Sequence, residues 1–191
     1  MMKPIAFLAG ISFTLVNLDA TAAPTVNIET EYYSVEGDTA AEIRRSLNRN
    51  SPIRYNGKNF DGLTNWYVKW RFWWEKSENS CQIDRVTTTV DIKYTMPRLE
   101  NADSIDPSLQ NKWNSYITAL QNHEDEHKNI AVETAEEIEK AIANIEAADN
   151  CEELEDKANS LGHSIIEEYK EVQKQYDRDT RHGATEGAKF P

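Results

Sequence analysis

The most constraining feature of the chain is the segment from His123 to His127, which reads His-Glu-Asp-Glu-His within a strongly helical stretch. Residues four positions apart lie one turn apart on the same face of a helix, so both imidazoles can reach one metal ion. Glu124 follows the first histidine, where its carboxylate can take a proton from a water molecule on that metal. The segment therefore predicts the metal-binding helix of a zinc hydrolase.

The histidines fall on the apolar face of this predicted helix. Asp106 and Pro107 are typical of an N-cap and a first helical residue. Apolar residues then recur at helical spacing, at Leu109, Trp113, Tyr116, Leu120, Ile130, Ile138, Ala141 and Ile145. Buried histidines need polar partners, because an unsatisfied buried polar group costs about 1–3 kcal/mol. Bonds to backbone or carboxylates are the alternative, but a pair that flanks a glutamate favours a metal site.

The N-terminal segment, residues 1–22, is typical of a secretory signal peptide. It has an early positive charge at Lys3, an apolar run from Ile5 to Leu18 and an Ala-Thr-Ala cleavage site that ends at Ala22. The run is too short for a membrane span, and an uncleaved N-terminal anchor is the alternative. We therefore expect a periplasmic or secreted protein that does not insert into the membrane after cleavage.

The charge of the chain argues against some classes of partner. The formal net charge is −12, and removal of residues 1–22 leaves it unchanged because they carry one lysine and one aspartate. An acidic protein without a basic cluster is a poor candidate for binding nucleic acid or an anionic membrane. Residues 23–191 suit a single domain, with residues 23–98 mainly β around one short helix and residues 106–191 mainly helical.

Cys81 and Cys151 are the two cysteines of the chain, and we expect them to form a disulfide in an exported protein. Closing so long a loop would destabilise the unfolded chain by about 4 kcal/mol. The bridge would join the end of the metal helix to the sheet. With both thiols paired and no C-x-x-C present, we expect no zinc–thiolate site.

Two segments alternate in the manner of β-strands. Residues 66–74 place five apolar side chains on one side, and residues 86–94 alternate apolar with polar side chains until Met96-Pro97 is expected to end the strand. A strand or strand pair is also predicted over residues 26–35. Residues 87–93 are our candidate for an edge that binds substrate backbone, although a polar edge also prevents aggregation.

A second helix is predicted after Cys151 and is expected to end near Tyr176. Its apolar stripe comprises Leu154, Ala158, Leu161, Ile165, Tyr169, Val172 and Tyr176. A short helix over residues 40–48 is predicted as well, with Asp38 or Thr39 as its N-cap. The sequence therefore predicts an α+β, zincin-like fold, in which a small antiparallel sheet packs on a long active-site helix followed by a second, antiparallel helix.

A catalytic zinc ion usually has three protein ligands and one water, so a third ligand must join the histidine pair. His163 is expected to face solvent, opposite the apolar stripe of its helix. His182 follows that helix in a turn that Gly183 permits. Glu168 borders the apolar stripe, and Asp177 is another candidate. Spacing alone therefore leaves His182, Glu168 and Asp177 open as the third ligand.

Several motifs occur in a fixed order along the chain. They include Tyr-Tyr-Ser-Val-Glu-Gly at residues 32–37, Tyr-Thr-Met-Pro at residues 94–97, the His123–His127 segment, and Tyr-Asp-x-x-Thr-x-His-Gly at residues 176–183. In this combination the chain resembles a bacterial domain-of-unknown-function family labelled as predicted secreted zinc-dependent proteases. The resemblance covers nearly all of residues 23–191. It implies that the closing segment belongs to the site and favours His182 as the third ligand.

We therefore expect an exported zinc-dependent metallopeptidase that holds one zinc ion per chain and cleaves a peptide or protein substrate. His123, His127 and His182 would bind the metal, which lowers the pKa of its water to about 7. Glu124 would accept the proton of this water as it attacks a peptide carbonyl. Tyr176 or Arg181 would stabilise the oxyanion, and the alternatives are a core anchor for Tyr176 and a solvated charge for Arg181. A non-catalytic zinc-binding periplasmic protein and an amidase acting on cell-wall peptides are the alternatives.

Overall fold

The computed structural model describes residues 23–55 and 57–191, so the predicted signal peptide lies outside the described residues. The chain has an α+β fold, as the sequence predicts. Its elements in chain order are β1 (Thr25–Val35), α1 (Ala40–Asn50), β2 (Arg54–Tyr55), β3 (Lys58–Asn59), β4 (Leu63–Lys76), β5 (Cys81–Leu99), α2 (Pro107–Ala143), α3 (Cys151–Thr180) and a 3₁₀ turn (Ala184–Glu186).

The three long strands form one sheet in the order β1-β5-β4. β4 and β5 are an antiparallel hairpin, whereas β1 pairs parallel to β5 along its whole length. The sheet is therefore mixed, and the prediction of an antiparallel sheet is wrong for β1. Alternation of side chains assigns a residue to one face of a strand but does not report the direction of the neighbouring strand. Here α1 and β4 together form the long connection that parallel pairing requires.

β5 is longer and more central than the sequence predicts. It continues through Pro97 to Leu99. β4 pairs with β5 only as far as Thr95, so Pro97 has a neighbouring strand on the β1 side alone. A proline, which lacks a backbone N–H, is tolerated where one side of the strand is unpaired. Residues 89–93 pair with strands on both sides. The prediction of a substrate-binding edge over residues 87–93 is therefore wrong for residues 89–93, where β1 and β4 form the edges of the sheet.

α1 anchors the segment that leads into β4. The helix begins with a capping box in which Thr39 and Glu42 satisfy each other's backbone N–H groups. Arg44 of this helix donates two hydrogen bonds to the carboxylate of Asp61, over 2.7 and 2.6 Å. The hydroxyl of Tyr116 on α2 donates to the same carboxylate over 2.9 Å. Asp61 therefore joins α1 and α2 just ahead of the strand.

α2 begins as predicted, with Asp106 as N-cap and Pro107 as its first residue. It packs its apolar face on the inner face of the sheet, and the resulting core includes Val68, Val90, Ile92, Tyr94, Met96, Trp113, Leu120, Ala135 and Ile138. Within residues 23–191, the described helices include none with an apolar run long enough to cross a bilayer.

α3 returns antiparallel to α2, and the predicted disulfide between Cys81 and Cys151 joins its first residue to the start of β5. The helix extends to Thr180, one turn beyond its predicted end near Tyr176. Its buried face near the end includes Gln173, whereas Val172 is 42 % exposed. The helix therefore turns a polar side chain toward α2 at the level of the histidine pair.

Residues 183–191 fold back over α2 and join the core. Phe190 is 1 % exposed, and its ring centroid lies 5.7 Å from that of Trp113 and 5.2 Å from that of Tyr116. Ala188 is buried as well. This closing segment is therefore anchored to the core by an aromatic side chain.

Candidate metal centre

Both histidines of the His123–His127 segment lie on the inner face of α2, as their helical phase predicts, and Glu124 is buried beside them. His123 and Glu124 are 4 % exposed, and His127 is 8 % exposed. The two imidazole centroids are 4.9 Å apart and their planes are nearly perpendicular, at 85°. Both rings are therefore close enough to share one partner.

That partner is the carboxylate of Asp177, which α3 supplies from the opposite side. Its Oδ1 atom lies 3.3 Å from Nε2 of His123 and 3.3 Å from Nε2 of His127. The donor atoms of the three residues all lie within 4.8 Å of one another. The side chain of Asp177 is 31 % exposed, so one side of the cluster is open to solvent. These three residues form a possible metal-binding triad.

The chemistry of the triad suits a zinc ion. Zinc is bound by imidazole nitrogens and carboxylate oxygens, and ligand atoms about 2.0–2.1 Å from one ion at tetrahedral angles lie about 3.3–3.4 Å from each other. Both nitrogen–oxygen distances at Asp177 match this spacing. The donor types and these two distances are therefore compatible with a bound metal ion such as zinc.

A glutamine fixes the ring of His127. The amide nitrogen of Gln173 donates to the backbone oxygen of His127 over 2.9 Å, which leaves its amide oxygen to accept a hydrogen bond from Nδ1 of the same residue. Nδ1 therefore donates to the glutamine, and Nε2 is the ring nitrogen that faces Asp177. The glutamine thus orients this ring as a metal ligand requires.

Tyr176 and Glu186 surround the other side of His123. The ring of Tyr176 stacks on the imidazole at 4.9 Å and 21°, and its hydroxyl lies 3.2 Å from Nδ1. Oε2 of Glu186 lies 3.0 Å from the same nitrogen. The hydroxyl of Tyr176 is therefore at the ring nitrogen that faces away from Asp177, and its predicted catalytic role stays a prediction.

The carboxylate of Glu124 sits against the segment that opens β4. The hydroxyl of Thr64 lies 2.7 Å from Oε2 of Glu124 and 3.0 Å from its backbone oxygen. A Cβ atom at Gly62 would lie only 2.6 Å from Oε1, so glycine allows the carboxylate to pack directly on the backbone. Burial raises the pKa of Glu124, and the hydrogen bond from Thr64 and the nearby histidines partly offset that effect.

The cluster as a whole favours a cation. Burial raises the pKa of Asp177, but hydrogen bonds with His123 and His127 outweigh it and hold that pKa well below its usual range. Burial lowers the pKa of both histidines. The surrounding hydrogen bonds and carboxylates outweigh this effect, so the pKa of each histidine is raised above its usual value. Three carboxylates, those of Glu124, Asp177 and Glu186, therefore surround two imidazoles, an arrangement that attracts a positive ion.

His182 lies at the solvent side of the triad. Its Nδ1 is 3.3 Å from Oδ1 of Asp177, its side chain is 53 % exposed, and its ring contacts that of Phe60 edge-on at 4.7 Å. Arg181 and His182 both have a φ of 53°, the left-handed region that non-glycine residues seldom adopt. His182 thus stands beside the site, and its predicted role as a ligand stays a prediction.

The other ligand candidates point elsewhere. His163 is exposed, as predicted, and its ring contacts Trp70 rather than the triad. Glu168 is exposed on α3. Sequence reasoning missed the roles of Gln173, Glu186 and Thr64. Only Gln173 carried a usable signal, since it precedes Asp177 by one helical turn.

Comparison with known proteins agrees with the family resemblance at a coarse level. The sequence profile of a family described as "Bacterial protein of unknown function (DUF922)" matches residues 30–183. The match includes the whole triad, Thr64 and His182, and it ends three residues before Glu186. No curated protein and no solved structure is significantly similar to the chain.

Proposed function

The chain belongs to the bacterial family of unknown function DUF922, and from the geometry of its site we propose that it is a zinc-dependent hydrolase of peptide bonds. The proposal includes export, because the disulfide between Cys81 and Cys151 suits an oxidising compartment. It also includes one zinc ion per chain.

One observation carries the proposal: a buried carboxylate stands beside a triad of zinc-type donors. His123, His127 and Asp177 are the ligands we propose, and Glu124 is the base. Solvent-exposed carboxylates are common without a metal, but Glu124 is 4 % exposed and follows directly after a triad member. A buried carboxylate with a raised pKa next to such a triad is typical of a catalytic base.

Zinc, when bound, supplies a Lewis acid that activates water and polarises a carbonyl oxygen. Glu124 then removes the proton of the attacking water and passes it to the leaving amine. The hydroxyl of Thr64 holds the carboxylate in place, and the amide of Gln173 fixes the ring of His127. The exposed ring of His182 is at the open side, where a substrate carbonyl would approach.

The nearest edge of the sheet suggests how a peptide would bind. Thr64 is the second residue of β4, an edge strand, and it contacts Glu124 directly. An extended peptide that adds to this edge through backbone hydrogen bonds would pass alongside the base. This supports β4, in place of residues 87–93, as the substrate-binding strand.

His182 also supports a second candidate, a non-catalytic zinc-binding protein. Its Nδ1 atom is 3.3 Å from the same oxygen of Asp177 that the other two histidines contact. If His182 joined the three ligands, four protein atoms would surround the metal. A closed site of this kind is typical of structural zinc and leaves no position for water.

The test compares three proteins that span residues 23–191: the wild type, Glu124→Gln and Glu126→Gln. Glu126 is an exposed glutamate on the same helix. Each protein is loaded with zinc, assayed for metal content, and incubated with a proteome-derived peptide library and with cell-wall muropeptides. Mass spectrometry then identifies new termini.

We expect one zinc per chain in all three proteins, and cleavage by the wild type and Glu126→Gln only. Stoichiometric zinc without cleavage of either substrate would favour the non-catalytic candidate. Cleavage of muropeptides alone would indicate a cell-wall amidase. A wild type that binds no zinc would overturn the proposal.

A further inference from the structure

We propose that Glu186 is a positioning residue of the metal site, the carboxylate that holds the ring of His123. Its Oε2 atom lies 3.0 Å from Nδ1 of His123, while Nε2 of the same ring faces Asp177. The inference rests on the proposed zinc site and adds a residue outside the His123–His127 segment and outside the family match.

The ring of His123 needs an acceptor at this position. An imidazole that binds metal through Nε2 carries its proton on Nδ1, and a carboxylate that accepts this proton fixes the ring and makes it a stronger ligand. The hydroxyl of Tyr176 donates to Glu186, over 3.1 Å to each oxygen. Glu186 is therefore the acceptor for both neighbours.

The backbone around Glu186 holds its carboxylate in place. Gly183 has a φ of 75°, and a Cβ atom there would lie 3.0 Å from Cγ of His123, so this turn lies directly on the ring. The N–H groups of Glu186 and Ala188 both donate to the carbonyl of Gly183, over 3.0 Å each. Phe190, which is buried, anchors the far end.

This support distinguishes Glu186 from an ordinary surface acid. Its side chain is 38 % exposed, and ion pairs of exposed side chains usually contribute little to stability. Unlike those, it has two partners inside the site and a backbone that two hydrogen bonds and a core aromatic constrain. Gln173, which is neutral, accepts the equivalent hydrogen bond from Nδ1 of His127, so a charged partner at Nδ1 is found for His123 and not for His127.

The experiment measures zinc affinity at one fixed pH by competition with a chromophoric chelator. It compares the wild type, Glu186→Gln and Glu168→Gln, the last being an exposed glutamate on α3. Glu186→Gln should bind zinc about 10–100-fold more weakly. Glu168→Gln should match the wild type, and the melting temperatures of the three zinc-free proteins should agree.

A second readout does not depend on affinity. Long-range ¹H–¹⁵N spectra of the zinc-loaded wild type should show His123 with its proton on Nδ1 and protected from exchange, and Glu186→Gln should lose that protection. Tyr176→Phe, which keeps the stacked ring, should keep the Nδ1 proton protected.

The two proposals fail in different ways. Tight zinc binding by the wild type with equal affinity in Glu186→Gln would overturn the role of Glu186 and leave the zinc site standing. Absence of zinc binding in the wild type would overturn both. If Glu186→Gln does not fold, the spectrum of the zinc-loaded wild type still tests the inference. An unprotonated Nδ1 of His123 in that spectrum would reject it.

Discussion

Oδ1 of Asp177 lies 3.3 Å from Nε2 of His127, and this contact joins α3 to α2 across the candidate site. The two residues are 50 positions apart in the chain. Gln173, one turn earlier on α3, fixes the orientation of the same imidazole. Pairing of the two helices therefore assembles the donor triad, and either helix alone lacks part of it.

Asp177→Ala should weaken zinc binding more than His182→Ala does, because Asp177 belongs to the compact triad and His182 lies at its exposed side. Loss of one of three ligands should lower the affinity by about two orders of magnitude or more. Titration of the purified proteins with zinc in the presence of a competing chelator measures this.

His163→Ala provides the control, since it removes an exposed histidine of α3 away from the triad. Its affinity should equal that of the wild type. If His182→Ala instead bound zinc more weakly than Asp177→Ala, the result would support His182 as the ligand that the sequence predicts.

Zinc should stabilise the folded protein, because the triad exists only when α2 and α3 are packed together. Free zinc at about 100 times its dissociation constant contributes about 2.7 kcal/mol, or roughly 5–10 °C in melting temperature for a chain of this size. Scanning fluorimetry with added zinc and with EDTA measures the shift. A variant with both His123 and His127 changed to Ala should show no shift, and an equal shift there would place the bound zinc elsewhere.

Local periodicity was enough to predict much of this fold. The start of α2 at Asp106 and Pro107, the capping of α1 by one of two candidate residues, the face that holds His123 and the pairing of Cys81 with Cys151 were all predicted from the sequence. The first three depend on residues a few positions apart, and the disulfide prediction depends on the chain having two cysteines.

The remaining features depend on contacts between distant segments. The parallel pairing of β1 is set by the connection that follows it, and Pro97 is tolerated only because β4 ends opposite Thr95. Glu186 and Thr64 are common polar residues with no distinctive spacing. Their roles follow from the turn at Gly183 and from the packing of β4 on α2, neither of which a periodic pattern reports.

The disulfide should contribute to stability and not to chemistry. Changing both Cys81 and Cys151 to Ser should lower the free energy of unfolding by about 2–5 kcal/mol, since the loop between them spans 70 residues. Urea unfolding of the zinc-free proteins measures the difference. Two free thiols in native exported protein, found by labelling before reduction, would contradict the bridge.

Thr64→Val should lower turnover and leave zinc binding intact, because the hydroxyl that fixes the carboxylate of Glu124 is lost while the triad is untouched. We expect kcat to fall by about tenfold, part of the 10²–10⁴-fold that a general base contributes. The change should also cost about 1.5–3 kcal/mol of stability, as for a hydrogen bond to a charged group.

Thr88→Val is the matched control for this loss of stability. Thr88 on β5 donates to the buried carboxylate of Glu139 on α2 over 2.8 Å, the same strand-to-helix contact away from the site. It should lose comparable stability and keep full turnover. Equal losses of kcat in Thr64→Val and Thr88→Val would mean that stability alone explains the effect, and Thr64 would then have no part in holding the base.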